Sequence, residues 1–180
     1  MTPSLIDLAS LAGGAIDGHV IAALERAGFP GLRTRHGYVV QRLLAGDRTI
    51  TGIARSLGVT QQAMSKTVAE LERMGYVHRD DDPEDARRRS LSLSSRGMAA
   101  VDTARAVRLR LLTRVTADVG ATRVADAEAV MRAVLDALSL AGRVDDRTMP
   151  VPPGSDTDEG STHGEEQLDG PGSAPGISPR

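Results

Sequence analysis

The sequence predicts a mainly α-helical chain carrying one small two-stranded β wing, with its N- and C-terminal helices forming a separate layer. Three observations carry that expectation. Apolar residues recur at helical spacing along most of residues 4–141, interrupted by Gly-containing turns. One stretch, Arg89-Ser90-Leu91-Ser92-Leu93, alternates instead, as a half-buried strand does. Between these features two short capped helices follow one another across Gly58.

Residues 4–27 read as the first helix, with Leu5, Leu8, Ala12, Ile16, Val20 and Leu24 near one stripe. Gly13-Gly14 interrupts it at a cost of about 1 kcal/mol per glycine relative to alanine, which predicts either tight packing of another helix or a kink. Gly28-Phe29-Pro30-Gly31 is a loop. Residues 35–45 form the second helix, with Val39, Val40, Leu43 and Leu44 on its apolar side, and Gly46-Asp47 turns the chain.

The stretch 50–97 organises the rest. Thr51 is placed to cap a short helix whose Ile53, Ala54 and Leu57 share a face and which Gly58 ends. Thr60 caps the next one. Met64, Val68 and Leu71 fall at i, i+4 and i+7 and must be buried, which leaves Gln61, Gln62, Ser65 and Lys66 outside, in the first two turns. Gly75 stops the helix. Two helices joined by a short Gly-containing turn are a helix-turn-helix. Gln pairs bidentately with adenine, Ser bonds base edges or phosphates, and Lys reaches guanine or phosphate. A recognition helix reads bases with its N-terminal residues, so Thr60, Gln61, Gln62, Ser65 and Lys66 are the candidate DNA contacts. A solvated helix face is the plain alternative.

Tyr76-Val77-His78-Arg79 and residues 89–93 then form a two-stranded ribbon, or wing, around the polar loop 80–88. That loop is not simply basic. Asp80, Asp81, Asp82, Glu84 and Asp85 precede Arg87, Arg88 and Arg89, and five carboxylates oppose DNA unless they pair with the arginines or face away. An arginine in a narrow minor groove is favoured by the negative potential there. Arg87, Arg88 and Arg89 are the candidates.

Residues 82–97, with Asp82-Pro83-Glu84-Asp85-Ala86-Arg87 and Leu93-Ser94-Ser95-Arg96-Gly97, resemble the Asp-Pro-x-Asp-x-Arg…Leu-Thr-x-x-Gly wing of the multiple-antibiotic-resistance regulator (MarR) family. Leu71-Glu72-Arg73-Met74-Gly75-Tyr76-Val77 matches it too. The resemblance covers residues 5–140 in element order and is specific between 50 and 97. It implies a homodimeric DNA-binding regulator, often released from DNA by a small ligand, with Arg87 as the wing-tip arginine and Asp85 fixing the loop. Ser94 stands where the family has Thr and remains a good N-cap.

Residues 95–118 read as a long helix with Met98, Val101, Val107, Leu111, Leu112 and Val115 among its apolar positions. Gly120 breaks it, and Thr122 is placed to cap another carrying Val124, Ala127, Val130, Met131, Val134, Leu135 and Leu138. With the first helix these carry more apolar surface than a small winged domain covers. The economical reading is a dimerisation layer, made by helices at about 4–28 and 95–141 around a DNA-binding part at about 34–97. The other is that they complete a monomer's core.

From residue 143 onwards Pro, Gly, Ser, Asp and Glu dominate, with too little apolar surface to offset ordering entropy. A winged domain over 1–142 and a disordered acidic tail over 143–180 follow. The tail holds three arginines and eight acids, so the chain's net charge of −2 divides into +3 for the body and −5 for the tail. The tail either solubilises passively or competes with DNA for the basic face.

The absence of cysteine excludes disulfides, thiolate metal sites and cysteine-based peroxide sensing. His19, His36, His78 and His163 are dispersed without metal-ligand spacing, and no glycine loop cradles a phosphate, so neither catalysis, metal nor cofactor is expected. No run of eighteen apolar residues and no basic-then-apolar leader occurs, which predicts a cytoplasmic protein without a membrane partner. His19, Arg33, Arg35 and His36 are candidates to receive a small organic anion where the helical layer meets the DNA-binding part, although such groups also satisfy backbone ends. Two functions stand: a dimeric regulator bound to double-stranded DNA, and a winged protein-interaction module whose acidic wing and tail keep DNA away. The exposed Gln61, Gln62, Ser65 and Lys66 favour the first; the weak net charge favours the second.

Overall fold

The computed structural model describes residues 2–81, 89–140 and 142. Along them run α1 (Leu5–Arg26), α2 (Thr34–Leu44), α3 (Ile50–Leu57), α4 (Gln61–Arg73), β1 (Val77–Asp81), β2 (Arg89–Leu93), α5 (Ser95–Val119) and α6 (Ala121–Ala137). The mainly helical chain with a two-stranded wing is the fold that forms. The wing tip 82–88 and the segment from 143 onwards, with the expectations for Asp85, Arg87, Arg88 and the acidic tail, lie outside the described residues.

The core sits where α2, α3 and α4 meet the ribbon. Val39 and Leu43 of α2, Ile53, Ala54 and Leu57 of α3, and Met64, Val68 and Leu71 of α4 are all buried together, as their spacing requires. Tyr76, Val77 and Leu91 close one side, while Val20 and Leu24 of α1 and Ala100 and Val107 of α5 close another. Each of the buried Val, Leu, Ile and Met side chains stabilises the fold by about 1.5–3 kcal/mol.

The strands pair antiparallel with Val77 opposite Leu93, His78 opposite Ser92, Arg79 opposite Leu91 and Asp81 opposite Arg89. Alternation therefore puts Leu91 and Leu93 on the core side. Ser92 lies on the outer side, where its hydroxyl bonds Asp80 Oδ2 (2.7 Å) and His78 Nε2 (2.9 Å). Leu91 also donates its N–H to the Arg48 carbonyl (2.8 Å), which stitches the ribbon to the α2–α3 connection.

Two caps differ from expectation. Thr49, not Thr51, caps α3: its Oγ1 accepts the Gly52 N–H (3.0 Å), and a side chain at position 52 would crowd that oxygen, since a Cβ there would lie 2.9 Å from it. Gly120, not Thr122, precedes α6. Its φ of +89° turns the chain so sharply that the new helix starts at once, leaving Thr122 inside the first turn. Thr60 and Ser94 cap as expected, accepting from Ala63 N–H (3.1 Å) and Gly97 N–H (2.9 Å).

α1 differs as well. It runs unbroken through Gly13-Gly14, with nothing of the described chain within 4 Å of where either Cβ would stand, so among the described residues no helix packs tightly against that step. Among the described residues only the C-terminal end of its stripe is covered. Val20 and Leu24 are buried, while Leu5, Leu8 and Ile16 are exposed. α5 divides likewise, with Val101 and Val107 buried and Met98, Leu112 and Val115 exposed; α6 buries no residue at all. α1 is also, by length and composition, apolar enough to cross a membrane, with mean hydropathy 1.3, a property the plain count of consecutive apolar residues did not reveal.

Two of the chain's three aromatic residues join the N-terminal layer to the wing. Phe29 and Tyr76 lie with ring centroids 6.5 Å apart, and the Arg96 guanidinium of α5 sits over both, at 5.6 and 5.0 Å. Arg96 donates to the Gly28 carbonyl (3.0 Å) and Tyr76 Oη to that of Pro30 (3.0 Å). Cation–π contacts of this kind add about 0.5–2 kcal/mol.

Candidate nucleic-acid interface

Local chemistry fixes α4 at both ends. Gly58 stops α3 in the left-handed region (φ +69°), Val59 crosses, and Thr60 caps the new helix, so the turn spans only Gly58-Val59-Thr60. At the far end Gly75 (φ +76°) and Tyr76 donate their N–H groups back to Glu72 and Leu71 (2.9 Å each). Ser94 then ties the exit of the wing to the exit of α4, its hydroxyl donating to the Gly75 carbonyl (2.6 Å).

With Met64, Val68 and Leu71 turned inward, Thr60, Gln61, Gln62 and Lys66 are exposed and Ser65 is half-buried. The Thr60 oxygen is occupied by its cap bond, which leaves its hydroxyl proton to donate. Arg89 belongs to β2, and Arg87 and Arg88 lie outside the described residues.

The two acids of α4 are both tied back into the protein. Glu72 receives a two-pronged bond from Arg79 of β1, Nε to Oε1 at 2.7 Å and Nη2 to Oε2 at 2.9 Å, which fixes the wing against the end of the helix. Glu70 Oε2 accepts from Arg35 Nη2 (2.8 Å) and His36 Nε2 (3.1 Å), both at the start of α2. The carboxylates that would repel phosphate are thus matched by cations, and the first two turns of α4 carry no acid. Sequence reading did not find Glu70, Glu72 or Arg79. Glu70 and its α2 partners are 34 and 35 residues apart, and no local pattern connects them.

His36 has both ring nitrogens engaged. Its Nδ1 accepts the Arg33 N–H (3.0 Å), so Nε2 is the nitrogen that carries hydrogen towards Glu70. Burial pushes the imidazolium below the ordinary histidine range, against the opposing pull of Glu70. Glu70 is itself raised by burial, but the hydrogen bonds from Arg35 and His36 outweigh that and hold its carboxyl low. The linkage has one sign for both groups: the unfolded chain takes up the proton first, so stability is complete above pH 6.5 and falls as the solution is acidified. The urea midpoint should decline below that pH for His36, and again below 4.5 as Glu70 begins to protonate in the unfolded chain.

A cavity of about 270 Å³ opens between α1, α2 and α5. Its walls are mostly apolar, and Arg33, His36, Arg105 and Arg108 border it with, among the described residues, a single acid, Asp17. The four residues expected to receive an organic anion are therefore not gathered as a set. Arg33 and His36 reach the cavity, Arg35 is engaged with Glu70, and His19 is exposed on α1 outside the lining. Among the described residues no group of acids and histidines is suited to hold a metal ion.

The MarR family model matches residues 31–88, from the loop before α2 to the wing. No curated protein matches the sequence. Among solved structures, the reduced form of MarR from E. coli is 20% identical with a TM-score of 0.59, covering 75% of this chain and 98% of that one. A point mutant of S. aureus MepR bound to an oligodeoxyribonucleotide is 18% identical with a TM-score of 0.54, covering 76% and 99%. S. aureus MepR bound to ethidium bromide is 19% identical with a TM-score of 0.56, covering 76% and 97%. These likenesses establish the fold.

Proposed function

Taking as premise that residues 31–88 are a MarR-family helix-turn-helix and wing within a MarR-type fold, we propose that the chain is a homodimeric, cytoplasmic transcription regulator and not an enzyme. It represses a nearby operon by binding a near-palindromic site. The observation that carries this reading is the N-terminal face of α4: exposed Gln61, Gln62 and Lys66 with Ser65 beside them, and both acids of the helix paired away. α4 enters the major groove, with the two copies about 34–36 Å apart on successive turns. Arg87, flanked by Arg88 and Arg89, reaches the minor groove. Residues 1–142 form the regulator body and 143–180 an appended acidic tail.

The second copy covers the open faces of α1, α5 and α6. Leu8, Leu11, Leu109 and Leu112 are all exposed in the single chain, and such an extent of apolar surface marks an interaction site. The membrane-length composition of α1 has the same explanation, and the bare Gly13-Gly14 step offers a partner helix close approach. A small organic anion fits the cavity, with its apolar body against Val20, Ile21 and Leu32 and its charge towards Arg33, Arg105 or Arg108. Binding there releases the protein from DNA.

Fluorescence anisotropy on fragments from around the coding region, at several salt concentrations, tests the reading. Tight, sequence-selective binding that weakens steeply with salt supports it and counts phosphate contacts. Sequence-indifferent or absent binding by a folded dimer instead supports the protein-interaction module. On the preferred fragment, Gln62→Ala should cost about 1–3 kcal/mol and relax preference at one base position. Arg87→Ala should weaken all sequences more evenly; equal loss of selectivity from both variants contradicts this division of labour.

A further inference from the structure

The strut between α2 and α4 has a property that apolar packing lacks. Met64, Val68 and Leu71 hold α4 on the core by contacts without direction, which tolerate small slides and rotations. The bonds to Glu70 have direction and fixed length. Glu70 lies about 12 Å along the helix axis from Gln62, at 1.5 Å per residue, so a rotation or slip at Glu70 is carried by the rigid helix to the base-reading turn. His36 is the narrow point of this strut. It is 2% exposed, and its Nδ1 and Nε2 are fixed by the Arg33 amide and by Glu70.

We propose that His36 is a positioning residue for DNA binding: neutral, it fixes α4 on α2 through Glu70, and a second proton on its ring releases that register and weakens operator affinity. The inference rests on the DNA-binding reading above. A proton on Nδ1 would face the Arg33 N–H, replacing an accepted bond with two opposed donors at the first turn of α2. It would also add a second cation beside Arg35 at one carboxylate oxygen. The charged groups facing His36 are Glu70 from α4, Arg35 on its own helix and Arg33 from the preceding loop. Across the shared cavity lie Asp17 of α1 and Arg105 and Arg108 of α5, with Arg108 and Asp17 3.8 Å apart. Among the described residues Glu70 is the acid bonded to the ring, and it favours the charged ring against the larger, opposite effect of burial.

The test is operator affinity as a function of pH, by anisotropy on the tightest fragment of the coding-region screen, from about pH 8 to about pH 5, a span that brackets the ordinary histidine value. Wild type should bind at least about fivefold more weakly at the acid end, a modest coupling between a buried site and a binding surface. His36→Gln supplies an acceptor and a donor but no titration, so its profile should lose that decline. Exposed His78 on the wing remains in both proteins, and its own effect on DNA cancels in the comparison. Glu70→Gln should bind more weakly throughout, with its decline moved to lower pH, because Glu70 supports protonation of the ring. Circular dichroism at each pH separates unfolding from repositioning, and Glu70→Gln carries the test if His36→Gln does not fold. Parallel profiles for wild type and His36→Gln, both bound and folded, overturn the proposal alone, as does an unmoved decline in Glu70→Gln. Failure of folded wild type to bind any fragment at any pH overturns the DNA-binding reading, and this inference with it.

Discussion

Gly97→Ala should destabilise the protein by about 3 kcal/mol, the upper range for overpacking a close contact, measured as a shift in urea unfolding. A Cβ at position 97 would stand 2.1 Å from the Tyr76 carbonyl oxygen and 3.1 Å from its carbon. That oxygen cannot retreat freely, because it accepts the Ser94 N–H (3.0 Å) at the point where the wing returns to α5. Relief would have to come from α5, whose first turn is also held by the Ser94 cap and by Arg96 over Phe29 and Tyr76. Gly37→Ala is the control. Gly37 is exposed within α2 with nothing within 4 Å of its would-be Cβ, and there alanine should gain up to about 1 kcal/mol. Equal effects at the two glycines would show that close approach at residue 97 does not govern stability.

Leu8→Asp combined with Leu112→Asp should halve the mass in solution and lower operator affinity by about 10²–10⁴-fold, the avidity a second reading head supplies. Within one chain the two leucines are 53% and 45% exposed, so the substitutions cost the monomer little and circular dichroism should be unchanged. Light scattering coupled to size exclusion reads the assembly, and anisotropy reads the DNA. A variant that remains a dimer would show that the open faces of α1 and α5 are not the interface. A monomer that keeps full affinity would remove the need for two half-sites.

Several parts of the molecule were legible in the sequence because they depend on neighbours close along the chain. The burial of Met64, Val68 and Leu71 follows from helical spacing, and the Thr60 and Ser94 caps from a hydroxyl three residues before a free N–H. The sidedness of β2 follows from alternation, and the Gly58 and Gly75 stops from positive φ. The cap of α3 lies two residues before the Thr51 that the sequence points to, because Thr49 and Thr51 are both hydroxyls in front of the same apolar face. What selects Thr49 is the bare backbone of Gly52 closing on it. Thr122 failed for a related reason: the turn at Gly120 consumes no extra residues before α6 begins.

The candidate site divides along the same line. The sequence by itself determined which residues α4 presents outward, since the helical period decides that as soon as the apolar face is known. It also determined that a wing follows, and the wing resemblance pointed to the family whose model covers residues 31–88. Only the tertiary structure decided that Arg35 and His36 bond Glu70, and that Arg79 holds Glu72. It alone brought Arg105 and Arg108 of α5 to a cavity with Arg33 and His36. The physical reason is range. Backbone periodicity, capping and turn chemistry act within about four residues, whereas an ion pair or a cavity wall joins residues tens of positions apart that meet only because the core has packed.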